Sequence, residues 1–177
     1  MPITRRTFIK AGAVGTAALV TAGAYQGWRL RASVLDESAA LPPAGRQLFA
    51  AVLPAFLDGM VPTNAWTPEL MASTLDAVEK TVRALPPHAR AELRQLFALL
   101  DTHPTRFALT GIWSNWSRVD AATAKKFLER WRFGSNVMFA SAYQALHDIS
   151  YGSWYANPAN WPSVGYPGPT RILGMVS

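Results

Sequence analysis

Through the middle of the chain, apolar side chains return every three or four residues and never settle into alternation. Phe49, Val52, Leu53, Phe56, Leu57 and Met60 form one such series after Pro42-Pro43, and Pro54 is expected to kink or break it. Thr67-Pro68-Glu69 opens a second helix, with a hydroxyl to cap, proline at the first helical position and an acid at the positive dipole end. Its inward positions are Met71, Leu75, Val78, Val82 and Leu85. Pro86-Pro87 interrupts the chain and starts a third series: Leu93, Leu96, Phe97 and Leu100. A less regular aromatic stretch follows through Phe107, Trp113 and Trp116. Asp120 then caps a helix with Ala124, Phe127, Leu128 and Trp131 inward. Gly134 or Ser135 separates it from a last helix carrying Phe139, Ala142, Tyr143, Leu146 and Ile149. The pattern predicts an all-α fold, a small bundle of about five to six helices without internal repeats.

Periodicity is expected to stop after Tyr151-Gly152. From Trp154 to Pro169 the chain holds Trp154, Tyr155, Trp161 and Tyr166, interleaved with Pro158, Pro162, Pro167 and Pro169 and with Gly165 and Gly168. Proline restricts φ and glycine opens positive φ, so an irregular tail is predicted, neither helix nor central strand. It carries no charge. Four large aromatics, each burying about 150–250 Å², must lie on something. Two readings stay open: the tail wraps over its own bundle, or it docks on a second protein through rigid aromatic anchors.

The N-terminus reads differently. Thr4-Arg5-Arg6-Thr7-Phe8-Ile9-Lys10 precedes a stretch with no charge until Arg29. Ala11 to Ala24 is rich in Ala, Gly, Thr and Val and ends Ala22-Gly23-Ala24, which suits a small-x-small cleavage site at Ala22 and Ala24. Arg5, Arg6, Phe8 and Lys10 resemble the Ser/Thr-Arg-Arg-x-Phe-Leu-Lys pattern of a bacterial twin-arginine export signal, with Ile9 in place of Leu. That address is read by the twin-arginine translocase, which carries folded proteins. A basic cap on an ordinary helix is the bland alternative. The uncharged stretch is short and glycine-interrupted for a membrane span, so a retained anchor is the second choice. The expected divisions are a signal over 1–24, a linker over 25–43, a bundle over 44–152 and a tail over 153–177. The expected location is the periplasm, with attachment to the inner membrane through a partner or an uncleaved signal helix as the variant.

Composition narrows the chemistry. The 177 residues are 50% hydrophobic and 16% charged, which argues against a disordered chain. Zero cysteines exclude disulfides, thiolate metal sites and a cysteine nucleophile. The formal charge of +6 suggests nucleic acid only until it is localised, since Arg5, Arg6 and Lys10 carry half of it. Nucleic acid is therefore not an expected partner. No P-loop, Gly-x-Ser-x-Gly elbow or dinucleotide fingerprint is present, and no two of His88, His103 and His147 have ligand spacing on one helix. No metal and no catalytic residue is expected. His147-Asp148 is the one adjacent acid–base pair, and a free-standing ligand-binding protein or enzyme would place a pocket there, lined by Trp131 and Tyr143. Lys125, Lys126, Arg130 and Arg132 make the densest basic cluster, and Glu69, Asp76 and Glu79 are expected on a solvated face.

Three features together resemble a family: Thr4-Arg5-Arg6-Thr7-Phe8, Leu53-Pro54 to Val61-Pro62, and above all Trp154-Tyr155-Ala156-Asn157-Pro158 to Gly165-Tyr166-Pro167-Gly168-Pro169. The chain is similar to the gluconate 2-dehydrogenase subunit 3 (gamma, small subunit) family, accessory subunits of flavin dehydrogenases of the glucose–methanol–choline type. The resemblance implies a chain with no cofactor of its own and a large FAD-bearing partner, with a cytochrome c subunit often taking the electrons. It also implies that the small subunit escorts the flavoprotein through export on its own signal. Trp154, Tyr155, Pro158, Trp161, Tyr166 and Pro167 would then be the partner-binding residues.

Overall fold

The computed structural model describes residues 40–166. Six α-helices and no strand occur among them. The first, α1 (Pro43–Phe56), begins on Pro42-Pro43 as the sequence predicts and is apolar nearly all round. Such a helix belongs in the middle of a protein. It packs against α2 (Pro68–Ala84), α3 (Pro87–Asp101), α5 (Ala121–Phe133) and α6 (Val137–Tyr155). Leu48, Phe49, Val52 and Leu53 are its fully buried side chains. Pro54 does not break it: the proline sits one turn from the end, and the helix closes through the Leu57 N–H on the Leu53 carbonyl. Gly45 permits the approach of α3, since a Cβ there would lie 2.8 Å from Leu41 Cδ1 and 3.0 Å from the Phe97 ring.

The predicted caps are made. Thr67 Oγ1 accepts from the Leu70 N–H at 3.2 Å, and Asp120 Oδ1 accepts from the Thr123 N–H at 2.6 Å. These contacts hold the Asp120 carboxyl below its usual range. Asp76 and Glu79 correct the expectation of a merely solvated face. Both reach across to Arg46 of α1, at 2.9 and 3.2 Å. Exposed pairs of this kind contribute at most about 1 kcal/mol each.

The stretch expected to be irregular around Phe107 contains a two-turn helix, α4 (His103–Thr110), closed by Gly111 at φ +71°. Its key residue is Arg106, fully buried. Nη1 donates to the Leu100 and Asp101 carbonyls and Nη2 to the Trp113 carbonyl, at 3.2–3.3 Å. The guanidinium lies 5.7 Å from the Trp116 ring centroid. A cation is thus set where the last carbonyls of α3 lack helical partners and the dipole is negative.

The helix–tail boundary at 152/153 also shifts. α6 runs through Gly152 to Tyr155, and a 3-10 turn follows over Pro158–Val164. Gly152 is exposed and a Cβ there would meet nothing, so glycine at this site marks no backbone break. Burial of Ser153 and Trp154 against α2 carries the helix past it. Ser153 Oγ donates to Thr81 Oγ1 of α2 at 2.8 Å.

Candidate functional site

Two regions of α6 and its extension hold the predicted site residues. Trp154 faces inward, 3% exposed, with its ring 6.3 Å from that of Trp66. Its Nε1 and that of Trp66 are buried donors without a protein partner. Trp154 therefore takes the self-packing reading of the tail. The rest turns back on the end of α6. Asn157 Oδ1 accepts from the Ala159 N–H beside Pro158, and Asn160 Nδ2 donates to the Trp154 carbonyl at 3.0 Å. Trp161 Nε1 donates to the Tyr155 carbonyl at 2.8 Å, and the Trp161 ring meets Tyr166 edge-on at 5.3 Å. Gly165, at φ +69°, makes the reversal that brings Tyr166 onto Trp161. Tyr155 and Tyr166 remain exposed and Trp161 half-buried. What protrudes from this end is an uncharged aromatic cluster, already ordered.

The second region is a ladder of rings at four-residue spacing: Tyr143, His147, Tyr151 and Tyr155. Successive centroids are 5.8, 4.3 and 6.2 Å apart. Four residues overshoot a helical turn by about 40°, so the ladder winds around α6 toward solvent. Phe139 precedes it and stacks on Trp131 of α5 at 5.4 Å. Tyr151 is anchored where its hydroxyl donates to the Phe56 carbonyl at 2.8 Å. Burial, foremost, pushes the Tyr151 hydroxyl above its ordinary range. His147 is wedged between Tyr143 and Tyr151, with Phe56 against its edge at 5.8 Å. His147 Nδ1 lies 3.0 Å from Asp148 Oδ1, and the same oxygen accepts from Gln144 Nε2 at 2.6 Å.

The cleft beside His147 is lined by Phe56, Lys125, Glu129, Arg132, Tyr143 and Tyr151, and holds about 160 Å³. Small-molecule sites usually span about 300–1,000 Å³. Tyr143 is there as expected. Trp131 is not: it stacks on Phe139, and its Nε1 donates to the Leu109 carbonyl. The basic cluster is divided as well. Lys125 pairs with Asp58 at 2.8 Å, Arg130 donates to the Thr110 carbonyl, and Arg132 lies over the Phe133 and Tyr143 rings. Among the described residues, no three His, Cys, Asp or Glu side chains converge to hold a metal ion. None of the described helices is long and apolar enough to cross a membrane.

The ladder escapes the hydrophobic pattern, because Phe139 and Tyr143 read as core positions and Gly152 reads as the end of the helix. Its signal in the sequence is an aromatic ring at every fourth residue from 139 to 155. Arg5, Arg6, Phe8 and Lys10 of the expected signal, Ala22 and Ala24 of its cleavage site, and Pro167 of the tail lie outside the described residues.

Comparison with known proteins bears on that first segment. Residues 2–22 match the TAT (twin-arginine translocation) pathway signal sequence. The chain is addressed for export. Its destination is the periplasm, and the translocase is the machine that recognises it. The match ends at residue 22, so it says where the bundle goes and not what the bundle does. No curated protein and no solved structure matches the chain.

Proposed function

We propose that this exported chain is a non-catalytic small subunit, of the gluconate 2-dehydrogenase subunit 3 type, that binds a large FAD-dependent dehydrogenase subunit and escorts it to the periplasm. The observation that carries the reading is the pairing of a folded-protein export signal with a preordered, uncharged aromatic end on the bundle. Tyr155, Pro158, Trp161 and Tyr166 offer that end to the partner, while Trp154 fixes it from within; Pro167, outside the described residues, is assigned to the same contact. Because the turn is already closed by hydrogen bonds, docking orders few new rotamers, and more of the contact energy appears as affinity. FAD belongs to the partner in this reading, and a cytochrome c subunit is the expected electron acceptor.

The test is export itself. Replacing Arg5 and Arg6 by lysine should strand both this chain and the flavoprotein in the cytoplasm. A C-terminally tagged wild-type chain should pull down from the periplasm a stoichiometric large subunit with a flavin absorbance spectrum. Arrival of the flavoprotein in the periplasm without this chain would remove the escort role.

A further inference from the structure

The turn between α5 and α6 presents apolar side chains that the fold does not use. Phe133 is 75% exposed, Val137 78% and Met138 64%, within a run over 132–138 in which every residue is exposed. None packs against the core, although their neighbours Trp131 and Phe139 do. The tip is stiff. Asn136 Oδ1 accepts from the Met138 and Phe139 N–H groups, at 3.0 and 3.4 Å, and a Cβ on Gly134 would strike the Arg130 carbonyl at 2.6 Å. Phe133 and Gly134 border an open cleft, while Val137 and Met138 lie outside it. Cations surround it. The Arg132 guanidinium is 5.0 Å from the Phe133 ring centroid, and Lys126 and Arg130 share one open cleft wall with Phe133. Glu129 is the acid on that wall.

We propose that this tip is a peripheral membrane contact. Phe133, Val137 and Met138 enter the headgroup–acyl boundary of an anionic bilayer, and Lys126, Arg130 and Arg132 meet the lipid phosphates. Stiff apolar protrusions ringed by arginine and lysine are the chemistry that binds such interfaces. A protein partner is disfavoured here because interface anchors of this size fill pockets and are hemmed by neutral contacts, whereas this tip has charge on either side. The contact is independent of the escort reading, since it needs no flavoprotein.

The experiment is co-sedimentation of the protein recovered from the periplasm with vesicles. One set is phosphatidylcholine alone, and the other contains about one-third phosphatidylglycerol. The mixed vesicles should be bound more tightly, and more weakly as salt rises. Phe133→Ser with Met138→Ser should lower partitioning by roughly tenfold or more, and Arg132→Gln by about fivefold. These side chains are exposed, so the melting temperature should stay unchanged, which separates lost binding from lost folding. Because the chain has no cysteine, Ser135→Cys accepts a single environment-sensitive fluorophore, whose emission should shift to the blue on mixed vesicles. Equal binding by wild type and the double-serine variant would overturn the proposal. So would an unshifted label, or a double-serine variant that binds vesicles normally but loses a co-purifying protein.

Discussion

Truncation of Trp154 separates the two roles combined in the C-terminal aromatic segment. The side chain is 3% exposed and lies between α6 and the Trp66 ring, in the seam where α2 meets α6. Trp154→Ala removes a large buried ring from a site whose walls are helices, and such changes cost about 3–5 kcal/mol. For a chain of this size each kcal/mol moves Tm by roughly 2–4 °C, so the fall should be on the order of 6–20 °C. Trp154→Phe is the instructive control. The indole Nε1 has no protein partner, so phenylalanine sacrifices ring volume but no hydrogen bond, and it lifts a desolvation penalty of about 1–3 kcal/mol. It should recover most of the lost stability. Tyr166→Ala, at an exposed position, should leave Tm within a few degrees while weakening co-purification of the flavoprotein. Thermal unfolding followed by circular dichroism reads the first two, and pull-down reads the third. A Tm shift of only a few degrees for Trp154→Ala would refute its place in the core. Undiminished pull-down by Tyr166→Ala together with Trp161→Ala would refute the docking role of this end.

Other outcomes are equally definite. Arg106→Leu should destabilise by about 2 kcal/mol or more, because it removes the buried guanidinium's bonds to the Leu100, Asp101 and Trp113 carbonyls; Arg106→Lys should recover little, lacking the forked geometry, and urea midpoints check both. Asp120 has its folded-state pKa held below the ordinary 3.8 by the Thr123 backbone and hydroxyl, so its cap contributes stability above that value. The contribution disappears as pH falls through the lower folded value. Asp120→Asn keeps a capping oxygen without the titration, and should match wild type at pH 7 while losing less stability on acidification, as urea titrations at several pH values would show. Arg5→Lys with Arg6→Lys should leave the Tm of the bundle unchanged while abolishing periplasmic recovery, measured by cell fractionation.

The helix starts at Pro43 and Pro68, the caps at Thr67 and Asp120, and the stripes on α2, α3 and α5 are legible in the order of residues alone. Each depends on residues within a turn or two of one another, and hydrophobic period plus capping chemistry expresses that directly. The export signal is equally legible, since a receptor reads it as a linear pattern. Gly152 misleads because helix propensity is a weak preference, overridden where Ser153 and Trp154 are buried against α2. Arg106 is indistinguishable in the sequence from any other arginine, because its acceptors are carbonyls at a helix end that only chain reversal brings near. The same limit governs both candidate surfaces. Tyr151 is held by the Phe56 carbonyl, 95 residues earlier in the chain, and that bond turns the aromatic ladder along the edge of α1. The sequence alone thus determined the helical fold, its local starts and its destination. Which side of α6 is buried, which aromatic becomes core and which apolar tip stays in water were decided by packing between distant helices, because burial is a property of the assembled faces and not of neighbours along the chain.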